Sequence, residues 1–140
     1  MKKLAIVLLC TIPMLTACSK EPTNPAALEA AAKANGFTVE KIKDADNAYQ
    51  FRKDECVVEF GFFNAPADAE MKFHSIANPI MDGRSGGISS SANMSNYHYA
   101  SKLSGGKFFY ATQVENTLFV SDNAESCEAA IRKFAEDIKY

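Results

Sequence analysis

Polar and apolar positions along the chain alternate with two different periods. From Cys56 to Phe63 the period is two. Cys56, Val58, Phe60 and Phe62 share one face, and Val57, Glu59, Gly61 and Phe63 the other. Ala48–Lys53 is a shorter strand with Tyr49 and Phe51 together, and Phe37–Ile42 is a partly alternating one. Asp44–Asn47 and Lys53-Asp54-Glu55 carry turn chemistry between them. After Phe63 the period becomes 3.6: Ala69, Phe73, Ile76 and Ala77 fall at i, i+4, i+7 and i+8. This predicts a helix capped by Asn64, with Asp68 and Glu70 near its positive end, stopped by Asn78-Pro79.

Alternation returns in Tyr97–Leu103, in Lys107–Val114 and in Thr117–Ser121. Ser104-Gly105-Gly106 and Glu115-Asn116 are the turns between these strands. Asp122 to Glu125 has the spacing of a capping box, which predicts a last helix running to about Lys139. Cys127, Ile131, Phe134 and Ile138 form its apolar stripe. Near the other end, Asn24-Pro25 is a helix start and Gly36 a left-handed stop for an alanine-rich helix over Ala26–Asn35. Residues 82–96 are rich in Gly and Ser and read as a flexible loop. The order is α-βββ-α-βββ-α, which predicts an α+β fold with a mostly antiparallel sheet and helices packed on it. A length of 140 residues allows one domain, placed at residues 24–140.

The first residues follow a different logic. Lys2 and Lys3 precede an apolar run of about fourteen residues from Leu4, shorter than the roughly 20 that a spanning helix needs. The run ends in Leu15-Thr16-Ala17-Cys18. This resembles the lipobox of bacterial lipoproteins, and the body broadly resembles small bacterial envelope lipoproteins. The resemblance implies that residues 1–17 are a signal peptide and that Cys18 is acylated after cleavage. Residues 18–23 are then a lipidated tether. Two or three acyl chains would hold the protein on a membrane durably, whereas one binds marginally. Ser19 in place of Asp implies the periplasmic side of the outer membrane in a bacterium with two membranes. With one membrane the place is the outer face of the cytoplasmic membrane. Without Lys2 and Lys3 the chain has 13 basic and 17 acidic residues, a net charge of −4. That excludes a basic nucleic-acid surface and makes the lipid, not charge, the anchor.

Export also bears on the remaining cysteines. Cys10 leaves with the signal and Cys18 is modified, so Cys56 and Cys127 are left, each on the apolar face of its element. Both then point into a layer between helix and sheet. An oxidising compartment favours a disulfide there, closing a loop of about 72 residues; two buried free thiols are the alternative.

Candidate chemistry is sparse. The two histidines, His74 and His98, lie off the apolar patterns and are expected to face solvent, and no pair has metal-ligand spacing along the chain. No metal, cofactor or catalytic set is expected. Ser104-Gly105-Gly106-Lys107 and Ser121-Asp122-Asn123 copy two short motifs of serine β-lactamases, but the first reads as a hairpin, the third motif, Lys-Thr-Gly, is absent, and the chain is far too short. The aromatic residues are the remaining feature. Phe63, Phe109 and Phe119 are expected to line a second apolar surface, for an envelope protein or a small apolar ligand. The sequence therefore predicts a membrane-anchored, non-enzymatic binding domain. An inhibitor of, or enzyme acting on, cell-wall material and a structural spacer in an envelope complex are the alternatives.

Overall fold

The computed structural model describes residues 19–42 and 47–140. The lipobox with Cys18, and most of the Asp44–Asn47 turn, lie outside the described residues. The elements are α1 (Pro25–Ala34), β1 (Thr38–Lys41), β2 (Ala48–Lys53), β3 (Cys56–Phe62), α2 (Pro66–Gly83), β4 (Ile88–Asn93), β5 (Tyr97–Ser104), β6 (Lys107–Val114), β7 (Thr117–Ala124) and α3 (Glu128–Asp137), the last preceded by a short 3-10 turn. One antiparallel sheet runs in the order β1-β2-β3-β7-β6-β5-β4. The fold is α+β, with α1 and α3 on one face of this sheet and α2 on the other.

Local chemistry explains most boundaries. The Asn24 side chain accepts from the Ala27 N–H at 2.9 Å, Pro25 opens α1, and Gly36 follows its end with φ of 77°. Leu28 and Ala32 are the buried face of this helix. The α3 stripe is as the 3.6 period demands: Cys127, Ile131, Phe134 and Ile138 are all buried. The Phe134 ring meets Phe37, Phe51 and Phe119 at centroid distances of 5.0, 5.3 and 5.5 Å, so one side chain gathers a helix end and two strands. Cys56 and Cys127 form a disulfide, with Cα atoms 5.6 Å apart, pinning the start of β3 to the entry of α3.

Four boundaries differ from expectation. First, residues 82–96 are not a loop throughout, because β4 pairs with β5 from Ile88↔Leu103 to Asn93↔His98. This edge strand is almost wholly exposed, so it has no apolar face for alternation to reveal; its order comes from backbone hydrogen bonds. Gly87 leads into it with φ of +79°, and a Cβ there would stand 2.0 Å from the Leu103 carbonyl oxygen, so only glycine fits.

Second, α2 continues through Pro79 to Gly83. Proline removes one hydrogen bond, but Ile80 and Met81 beyond it pack on the α2-side core, and buried Lys102 donates from Nζ to the Met81 carbonyl at 2.6 Å. Third, the α2 cap is Ala65, with no side-chain bond, rather than Asn64. Fourth, Asp122 caps nothing: β7 runs on to Ala124, and the Asp122 carboxylate accepts from Arg84 at 2.6 and 2.7 Å. The ladder to β6, which pairs Asp122 with Phe109 and Ala124 with Lys107, outcompetes the helix start.

Candidate functional site

The α2 side of the sheet carries the chemistry. Along β5, Tyr97, Tyr99 and Leu103 pack towards α1 and α3, so the intervening His98, Ala100 and Lys102 face α2. On α2, Phe73 is buried and the next residue, His74, stands one turn beyond Glu70. The helix and the strand thus bring Glu70, His74 and His98 together. His98 Nε2 lies 3.3 Å from Glu70 Oε1, and His74 Nε2 lies 3.8 Å from the same oxygen. The imidazole rings are 5.0 Å apart, and Phe73 sits against both, at 5.2 Å from His74 and 5.7 Å from His98. Side-chain exposure rises outward from 15% at His98 through 38% at His74 to 50% at Glu70. Of the three, His74 also lines a depression of about 290 Å³ whose walls include Ser91, Asn93 and Asp82.

One contact orients the inner ring. His98 Nδ1 is 2.9 Å from the Asn93 amide oxygen, across the β4–β5 pair. An amide oxygen only accepts, so Nδ1 is the donor in this contact, and Nε2 is the ring atom that faces Glu70. The expectation that both histidines face solvent separately is therefore corrected: His98 lies beneath α2 and shares a carboxylate with His74. Spacing along the chain could not show this, since the three residues come from two elements joined by a long connection. The Glu70-x-x-x-His74 step was the one local signal. Among the described residues neither histidine hydrogen-bonds a hydroxyl or thiol, so no nucleophile–base pair is formed here.

The three phenylalanines expected to share a surface do not. Phe63 is half-buried beside the α2-side core. Phe109 faces α2 too, but is fully buried. Phe119 is on the opposite face, in the core under α3. The register gives the reason: Phe119 is the partner of Thr112 on β6 and of Phe60 on β3, whereas Phe109 shares its face with Asp122. Both faces of the central strands are apolar, so alternation separates them without saying which helix each one meets.

Phe63 instead helps to line a cleft of about 140 Å³ beside α2, with Ile76, Leu118 and Val120, and with Glu59 and Lys72 also lining it. Gly61 makes room for its ring, since a Cβ there would be 3.0 Å from Phe63 Cε2. Asn116 holds Phe63 in place: its carbonyl accepts from the Phe63 N–H at 2.7 Å, and its side-chain amide donates to the Phe63 carbonyl at 2.9 Å.

The residues after Cys18 are not a free tether. Asn96 donates to the Lys20 carbonyl at 2.7 Å, Lys20 Nζ donates to the Lys139 carbonyl at 2.9 Å, and the Thr23 N–H donates to the Tyr140 hydroxyl at 2.9 Å. Lys20 also lies over the Tyr97 ring, and its burial pushes its pKa down. Beside it is a cavity of about 270 Å³ lined by Tyr97, Tyr99, Tyr110, Tyr140 and Thr112.

No protein-family model matches the chain, and no curated protein is significantly similar to it. Among solved structures, the fold is similar to the crystal structure of a GTP binding regulator from Thermotoga maritima. The TM-score is 0.53 at 15% identity, over 86% of this chain and 90% of that one. At that identity the likeness is one of fold alone. The paired glycines, Gly86-Gly87 and Gly105-Gly106, lie between α2 and β4 and in the β5–β6 hairpin, neither of them leading from a strand into a helix N-terminus as a phosphate loop does.

Proposed function

We propose that the protein is a lipid-anchored envelope domain without enzymatic activity, which docks a protein partner on the α2 side of its sheet. The docking of residues 20–23 on the body carries this reading. If Cys18 is acylated, the first ordered contact comes only two residues later, so the domain rests against the bilayer instead of swinging on a stalk. The Cys56–Cys127 bridge supports export to an oxidising compartment. The size of the cleft favours a partner over a small apolar ligand. About 140 Å³ takes one or two side chains, well below the roughly 300–1,000 Å³ of small-molecule sites. Acidic Glu59 and basic Lys72 at the cleft add polar contacts around an apolar centre, the usual anatomy of a protein interface.

Expression of the full chain in bacteria with labelled palmitate tests the anchor. Label on the wild type, and its loss together with release from membranes in Cys18→Ser, is the expected outcome. Membrane retention of unlabelled Cys18→Ser overturns it. A photocrosslinker at Ile76 tests the surface: one discrete protein adduct, abolished by Val120→Asp, is expected, and lipid adducts alone refute a protein partner. The tyrosine-lined cavity supports a second reading, small-ligand carriage. Four tyrosine rings line it, and native mass spectrometry of the detergent-solubilised chain would reveal a bound molecule.

A further inference from the structure

Glu70, His74 and His98 each offer a ligand atom, and the three atoms lie within 4.8 Å of one another. Around a tetrahedral ion with bonds of 2.0–2.1 Å, neighbouring ligand atoms stand about 3.3 Å apart. The His98–Glu70 pair is already at 3.3 Å, and the His74–Glu70 pair at 3.8 Å needs only a small rotation of a side chain on the helix surface. The orientation of His98 is the second observation. Its Nδ1 is hydrogen-bonded to the Asn93 side-chain amide, which turns Nε2 towards a carboxylate oxygen. A divalent cation seated between Nε2 and that oxygen would be bound by both at once. A metal-ligating histidine is typically held this way, with its other nitrogen donating to an oxygen. Phe73 wedges both rings and limits their rotation.

We infer that this cluster is a binding site for a divalent transition metal of the Zn²⁺ class, with Glu70 Oε1, His74 Nε2 and His98 Nε2 as ligands. Two imidazoles and a single carboxylate suit zinc, copper or nickel, and suit calcium and magnesium poorly, since those take oxygen ligands. Three protein ligands leave one position for water or for a side chain of a docked partner. The ion would clamp α2 to β5, and through Asn93 it would also fix the edge strand β4. This inference goes beyond the anchored-domain reading and does not depend on it.

The test uses the untagged full-length chain, solubilised in detergent and stripped with EDTA, titrated with ZnCl₂ by calorimetry. One ion per chain with a Kd at or below about 10 µM is expected. Co²⁺ in place of Zn²⁺ should give the visible absorption of four- or five-coordinate cobalt. Imidazole ¹⁵N spectra should show metal on Nε2 of both rings and a retained Nδ1 proton on His98. Glu70→Gln, at an exposed position, and His74→Ala, at a half-buried one outside the core, should each weaken binding at least 10-fold, and Asn93→Ala by roughly 10-fold. Absence of saturable binding, leaving a His98–Glu70 ion pair only, overturns the site. So does unchanged affinity in the Glu70→Gln/His74→Ala double variant with an unaltered circular dichroism spectrum.

Discussion

The disulfide is the contact whose removal has the most calculable consequence. It joins residues 71 apart in sequence, so in the chain-entropy view it restricts the unfolded ensemble by about 15 cal/mol/K, or about 4.4 kcal/mol at 25 °C. Against a total stability of roughly 5–15 kcal/mol for a domain, that is a large share. Substitution alone would confuse the measurement. Cys127 is fully buried and Cys56 nearly so, so alanine at either site adds a cavity cost and serine adds a buried hydroxyl. Reduction keeps both sulfur atoms and isolates the cross-link. Urea unfolding of oxidised and reduced protein should place the reduced midpoint lower by about 2 M, taking a slope of about 2 kcal/mol/M. The slope itself should rise on reduction, because an uncrosslinked chain exposes more surface when it unfolds. A reduced midpoint within about 0.5 M of the oxidised one would refute the entropic account. Two alkylated thiols on Cys56 and Cys127 in the unreduced protein would remove its premise.

Three further perturbations probe separate parts of the fold. Phe134→Ala empties the centre of the ring cluster and should cost about 3–5 kcal/mol in chemical denaturation, with Phe134→Leu well under that. Gly87→Ala forces a Cβ onto the Leu103 carbonyl at positive φ; it should destabilise by roughly 2 kcal/mol and abolish amide-exchange protection in β4 while leaving α3 protected. Burial raises the Tyr140 phenol above the ordinary 10.0, opposed by its hydrogen bonds to Thr117 and the Thr23 N–H. A raised folded pKa gives stability that is complete below the unfolded value and lost as pH climbs towards the folded one. Denaturation free energy should therefore fall from about pH 9 to about pH 11, less steeply in Tyr140→Phe; equal slopes in the two proteins would refute the assignment.

Much of this architecture was legible before any coordinates, because burial on one face imposes a period that side chains record. The α3 stripe, the α1 cap and stop, the hairpins at Gly105-Gly106 and Glu115-Asn116, and the convergence of Cys56 and Cys127 on one layer all follow from period and turn chemistry. What stayed hidden depended on partners distant in sequence. The order of β4 comes from its backbone ladder to β5, which leaves no side-chain signature on an edge of serines. The helix runs on past Pro79 because Ile80 and Met81 pack on the sheet and Lys102, from another element, satisfies a carbonyl of its last turn. Phe119 and Phe109 belong to different faces through register, which no single strand encodes. The Glu70–His74–His98 cluster exists only where α2 crosses β5. Sequence determines which way each side chain points along its own element. Only the packing of elements, set by long-range burial, decides what it points at.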